Sequence, residues 1–208
     1  MQMDRGIVIF IEGDTEEEIY KGFLEKIHNM TPEGKFIVNK LIVRNLKGIC
    51  NYKNRALRVF QNDILANNPD IILNVFLCYD TDVFEFSAKP PVNWEDVIES
   101  LKKAGAEKIY QIKAKHSIED WILNDINGLC SYLKLNPSLI KLNGKNGVKK
   151  IENLFRKANK IYVKGIKIKG FVSSLDLQKI MCPACIQLKV LCKQLGVICT
   201  NSQKGLQH

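Results

Sequence analysis

Along the first two thirds of the chain, hydrophobic positions switch between short apolar runs and residues repeating with helical period. Gly6 to Ile11 is an uninterrupted apolar run of strand length, and Thr15-Glu16-Glu17-Glu18 directly after it opens a helix with Ile19, Phe23 and Ile27 on one face. Lys35 to Arg44 predicts a second strand through Phe36, Val38, Leu41 and Val43, and Asn54 to Ala66 a second helix carrying Ala56, Val59, Phe60 and Ile64. Ile71 to Tyr79 is the most apolar run and predicts a central strand. A proline-rich loop at Ala88 to Asn93, a helix over Trp94 to Ala104, a strand over Lys108 to Lys113 and a helix starting near Ser117 follow. From about Lys134 only loops and helices are predicted: a turn-rich basic loop at Lys141 to Gly147, then helices over Val148 to Ala158 and Leu175 to Leu195. In the last helix Ile180, Ile186, Leu188, Val190 and Leu191 are core candidates, and the tail Asn201 to His208 is predicted to be disordered.

Strands separated by helices imply right-handed crossovers and an α/β fold, with a mainly parallel central sheet of about four strands flanked by helices. The predicted organisation is one α/β unit over residues 1–130, a helical C-terminal extension over 131–200 packed on it, and a tail over 201–208. In such sheets a ligand site lies outside the carboxyl ends of the strands. Three acid-bearing segments fall at those ends: Glu12-Gly13-Asp14-Thr15-Glu16, Asp80-Thr81-Asp82 and Ser117-Ile118-Glu119. Any one of them alone reads as a helix cap or a solvated loop. Their shared position is what suggests a site, because gathered carboxylates repel and resist desolvation unless a cation or a proton neutralises them.

The chain has 208 residues, 46% of them hydrophobic, enough for one substantial core but not for two large domains. No apolar stretch reaches membrane-spanning length and the N-terminus has no signal-peptide pattern, so a soluble, cytoplasmic protein without membrane contact is expected. The net charge of +9, from 31 Lys+Arg against 22 Asp+Glu, is mostly lysine after residue 100 and favours a polyanionic partner such as nucleic acid. Seven scattered cysteines, an odd number, point to reduced thiols. Cys182, Cys185, Cys192 and Cys199 could supply four thiolates to zinc, but the later spacings do not repeat the CxxC knuckle, and buried cysteines on a helix face are the favoured reading.

Glu12 at a strand end and Glu16 on the first helical turn can face one point, with Gly13 permitting the tight turn between them. Asp80 and Asp82, two apart in an extended segment, point to one side. An all-oxygen set of this kind suits Mg²⁺ or Mn²⁺, as one ion or two, and a pair of such ions supports phosphodiester cleavage. Ser117 reads equally as the cap of its helix, with Asp120 in the place of the usual Glu, or as a catalytic residue.

With these residues in view, the motifs Glu12-Gly13-x-Thr15-Glu16, Asp80-x-Asp82 and Ser117-x-Glu119 resemble the Toprim domain, in the version used by OLD-family nucleases and RloB-like proteins. The resemblance spans roughly residues 5 to 125. It implies a three-layer Toprim fold in which Glu12, Glu16, Asp80, Asp82 and Glu119 ligate metal or metal-bound water and Ser117 supports a ligand. It also implies a downstream catalytic lysine, for which Lys164 is the first candidate, with Lys167 and Lys169 as rivals and a basic solvated or nucleic-acid-contacting strip as the competing reading. The implied activity is that of a metal-dependent endonuclease acting on DNA or RNA, tRNA included, as an effector of bacterial anti-phage defence. Its catalytic residues would be Glu12, Asp80, Asp82 and Lys164. No G-x-x-x-x-G-K-[ST] motif is present, so any ATPase is expected to be a separate subunit; a homodimer is compatible. Two other readings stand beside this one: a Toprim-like binding or regulatory subunit without catalysis, and phosphoryl or nucleotidyl chemistry on small nucleotides.

Overall fold

The computed structural model describes residues 4–29, 31, 35–82 and 91–197. Four strands, β1 (Arg5–Ile11), β2 (Lys40–Asn45), β3 (Ile72–Asp80) and β4 (Lys108–Ala114), form one all-parallel sheet in the order β2-β1-β3-β4. β1 and β3 are therefore central, and from Leu73 to Asp80 every residue of β3 is buried. This is the α/β arrangement of about four mainly parallel strands that the hydrophobic pattern predicts.

The period of two along each strand sorts the side chains onto two faces. Ile7, Ile9, Ile11, Phe76, Cys78 and Ile112 face a core completed by helix α1 (Asp14–Asn29) and the C-terminal helices. Val8, Phe10, Val75, Leu77 and Tyr79 face a second core. This one is covered by α2 (Arg55–Val59), the π-helical turn Phe60–Leu65 that continues it, and α3 (Trp94–Lys103). Each large apolar side chain removed from water in these layers is worth about 1.5–3 kcal/mol.

After β4 come α4 (Ile118–Ile122), α5 (Ile126–Leu133), α6 (Gly147–Lys157), α7 (Leu177–Met181) and α8 (Cys185–Gln194), with no further strand among the described residues. Leu154, Phe155, Ile180, Leu188 and Leu191 enter the same core as β1 and α1, so the C-terminal helices complete one face of the sheet.

Two boundaries differ from the sequence reading. Lys35 to Asn39 is not part of β2, which starts at Lys40 where pairing with Gly6 begins. The long helix over 175–195 is two helices, because Pro183 lacks the N–H a continuous helix needs and Ala184 leaves helical geometry (φ −83°, ψ 2°). The second of them presents Leu188, Leu191, Cys192 and Leu195 inward, which turns Ile186 and Val190 out to solvent. Cys182 is exposed at the break and Cys185 half-buried, so of the cysteines described in this region Cys192 is the one on the buried face. Cys199, the start of the proline-rich loop at Ala88 to Pro90, and the tail Asn201 to His208 lie outside the described residues. Within those residues no helix is long and apolar enough to cross a membrane.

Candidate active site

β1 ends at Ile11, and Glu12 and Gly13 turn the chain into α1 at Asp14. The turn is pinned from both sides, since Glu12 Oε1 accepts from the Asp80 N–H (2.9 Å) and the Glu12 carbonyl accepts from the Gly48 N–H (2.7 Å). β3 delivers Asp80, whose Oδ1 accepts from the Ile118 N–H at the start of α4 (2.9 Å). The ends of β3 and β4 are stapled together: Thr81 N–H donates to the Ala114 and His116 carbonyls, and Asp82 N–H to the His116 carbonyl (2.8 Å). Parallel register does the rest, because the acids leave neighbouring strands at the same height.

Over this sheet edge runs a strap without regular secondary structure, from Lys160 to Gly170. Five contacts hold it down. Tyr162 OH donates to Glu119 Oε1 (2.7 Å), and Lys164 Nζ lies 2.8 Å from Asp80 Oδ2 and 2.7 Å from Asp82 Oδ2. Asp14 N–H donates to the Gly165 carbonyl (2.9 Å), and Thr15 Oγ1 to the Ile166 carbonyl (3.1 Å). The shared lysine brings the Asp80 and Asp82 carboxylates together, although β3 ends at Asp80 and Asp82 is no longer extended.

Of the three rival lysines, Lys164 is the one brought to the acids. Lys167 pairs with Glu18 at the rim (2.7 Å), and Lys169 is exposed. The other acids near the site are likewise drawn to the rim: Asp14 meets Lys47 and Asn45, and Glu17 meets Lys21. Glu12, Glu16, Asp80, Asp82 and Glu119 thus remain as the inner set, with Glu119, Asp80 and Glu16 only 0%, 2% and 6% exposed.

Two predicted roles change. Ser117 sits at the start of α4, but its hydroxyl donates to Asp120 Oδ2 (3.2 Å) and caps no backbone N–H; the Asp80 carboxylate takes that place across the strands. Gly13 does not use a left-handed conformation. It is required by close approach: a Cβ there would lie 2.9 Å from Gly165 Cα and 3.1 Å from the Gly165 carbonyl oxygen. Glu16 Oε2, 2.6 Å from that Cβ, belongs to a side chain that can move aside, but the Gly165 atoms are backbone. Gly13→Ala should therefore lift the strap, at a cost of about 1–3 kcal/mol, and speed tryptic cleavage after its lysines. Wild-type proteolysis kinetics in the alanine variant would contradict this packing.

Sequence reasoning missed Tyr162 as a site residue. The signal was its position two before Lys164 in an extended segment, which places both side chains on the inner face.

The electrostatics follow from one ammonium among five carboxylates. Burial, with the negative charge of Glu16 adding to it, pushes Glu12 up to about 7 despite the hydrogen bond from Asp80 N–H. Burial likewise raises Glu16 to about 7, with Glu119 as the largest neighbouring charge acting the same way. Asp80 is raised well above the usual carboxylate range, by burial that outweighs its lysine. Burial by itself would lower Lys164, but its contacts with Asp80 and Asp82 reverse the sign and hold it protonated.

The donor set fits a hard divalent ion. It is all carboxylate, and Glu16 Oε2, Glu119 Oε2 and Asp82 Oδ1 are buried without a hydrogen-bond partner. Among the described residues, no three His, Cys, Asp or Glu side chains form a ready-made cage; Lys164 supplies the positive charge between Asp80 and Asp82. A groove of about 640 Å³ along the free edge of β2 contains none of these acids, and two of its cations, Lys21 and Arg44, are already paired with Glu17 and Asp63. No protein-family model, curated protein or solved structure matches this chain.

Proposed function

We propose that this chain is a divalent-metal-dependent nuclease of Toprim type that hydrolyses phosphodiester bonds in DNA or RNA. The observation that carries the reading is the buried charge imbalance at the sheet edge: five inner carboxylates with Lys164 as the ammonium among them, and three carboxylate oxygens without a hydrogen-bond partner. Glu12, Glu16, Asp80, Asp82 and Glu119 would hold Mg²⁺ or Mn²⁺. When bound, the metal supplies Lewis-acid polarisation of a phosphoryl oxygen and acidifies a bound water.

The chain's own residues do the positioning. Asp80 ties the β1 turn to α4 through its backbone N–H and its Oδ1, so the acids of three segments move as one unit. Tyr162 orients Glu119 through its hydroxyl and leaves Oε2 free to bind. Asp80 and Asp82 would hold the metal with the same carboxylates that now contact Lys164. Lys164, beside them, would supply a positive charge to stabilise negative charge developing on the phosphate. In metal-free protein near neutral pH, Glu12 and Glu16 carry part of the neutralising charge as protons.

The test is direct: purified protein with plasmid, single-stranded oligonucleotides and tRNA, in Mg²⁺ or Mn²⁺ against EDTA. Metal-dependent cleavage of at least one substrate is expected; none in any combination would overturn the reading. The pairing of Lys164 with both aspartates also favours a second reading, a binding or regulatory module that keeps the acids neutralised internally. Such a module would bind nucleic acid without cutting it and would be indifferent to metal.

A further inference from the structure

We propose that the outer face of the strap is a platform for unpaired nucleotides, which makes single-stranded rather than duplex nucleic acid the substrate class of the site. The proposal rests on the nuclease reading above and specifies its substrate. The strap alternates, with Tyr162 and Lys164 turned to the acids while Ile161, Val163 and Ile166 are 84%, 47% and 54% exposed. Scattered exposed apolar side chains need no explanation; three together at the mouth of a polar site do. The inner contacts of Tyr162, Lys164, Gly165 and Ile166 fix this face at the site and prevent it from folding inward.

Charge identifies the occupant. From Asn159 to Phe171 the sequence contains four lysines and no acid. Lys164 is turned inward, whereas Lys160, Lys167 and Lys169 flank the apolar trio on the surface. Lys160 lies over the Tyr132 ring (4.3 Å to the centroid), Lys167 is shared with Glu18 across an exposed ion pair, and Lys169 faces solvent. A polynucleotide complements such a surface, with phosphates meeting the lysines and base faces packing on aliphatic side chains. A duplex meets only half of it, because its base faces are stacked inside and its surface presents phosphates and groove edges. The apolar trio is also far smaller than the roughly 1,000 Å² that a stable protein interface needs.

Binding, rather than cutting, tests this. Full-length protein in EDTA is titrated by fluorescence anisotropy against a labelled, unstructured single strand of about 15 nucleotides and against a hairpin whose duplex stem contains that sequence. The single strand should bind at least about five-fold tighter, and Ile161→Ser/Ile166→Ser should erase that advantage while leaving duplex binding within about two-fold. Lys160→Gln/Lys167→Gln/Lys169→Gln should weaken both ligands and reduce the salt slope for the single strand by about 0.7 for each lysine–phosphate pair removed. Equal binding of duplex and single strand by the wild type, or unchanged single-strand binding by the isoleucine variant, would overturn the platform. So would sedimentation of the wild type, but not that variant, with phosphatidylglycerol vesicles, which would assign the face to a membrane. Single-strand binding by a protein that cuts nothing would reject the nuclease reading and leave the platform standing; cutting without strand preference would do the reverse.

Discussion

Asp80→Asn should abolish metal-dependent cleavage while leaving the protein folded. The amide keeps an oxygen to accept from the Ile118 N–H, and the backbone N–H still donates to Glu12, so the junction of β3, the β1 turn and α4 survives. The substitution removes the charge that would hold both the metal and Lys164. Loss of a preorganised electrostatic contact of this kind costs about 10²–10³ in turnover. Lys164→Met should cost a similar factor through the opposite charge, whereas Lys108→Met, exposed at the far end of β4 from the acids, should not. Gel assays with the best substrate of the wild type, together with circular dichroism of each variant, decide the matter. An Asp80→Asn protein that cuts like the wild type would remove Asp80 from the mechanism.

Metal-free protein should lose stability as pH rises from about 5 to 8, and Mg²⁺ or Mn²⁺ should restore it at the upper end. Glu12 and Glu16 titrate near 7 in the folded chain against an ordinary value of 4.5. Between those values the folded state binds more protons than the unfolded state, so the unfolding free energy falls with pH. Their contribution is fully present below about 4.5 and is lost as pH passes through about 7; Asp80, shifted in the same direction, adds to it. The total is a few kcal/mol, or about 5–10 °C in melting temperature for a chain of this size. A divalent cation replaces the lost protons, so its stabilising effect should be larger at pH 8 than at pH 5. Glu16→Gln, neutral at every pH, should flatten the profile. Thermal melts in EDTA and in Mn²⁺ across this range provide the check. A melting temperature that climbs with pH through the window, or that ignores metal at pH 8, would show that these carboxylates do not form a cation site.

The number of strands, their parallel direction and the positions of the acids at the strand ends are legible in the sequence. Apolar runs such as Ile7 to Ile11 and Leu73 to Tyr79 can be satisfied only by burial on both faces, and intervening amphipathic helices can return the chain only to a parallel neighbour. Period alone was less reliable where one residue changes the geometry. Pro183 broke the last helix and rotated Ile186 and Val190 outward, although their hydrophobicity suggested core. The constraint on Gly13 likewise comes from Gly165, far away in sequence, and not from the local turn.

What the sequence determined by itself was therefore the sheet and which acids it would deliver to one edge, because these follow from local periodicity and the short reach of strand-to-helix turns. Tertiary structure alone decided which charges meet. Lys164 faces Asp80 and Asp82 while Lys167 turns to Glu18, Tyr162 holds Glu119, and Asp80 rather than Ser117 caps the helix at Ile118. Each of these contacts joins segments far apart along the chain, and the strap that makes most of them has no regular secondary structure. Its path is set by close packing at Gly13 and by the pull of buried carboxylates on one ammonium, neither of which leaves a periodic trace in the sequence.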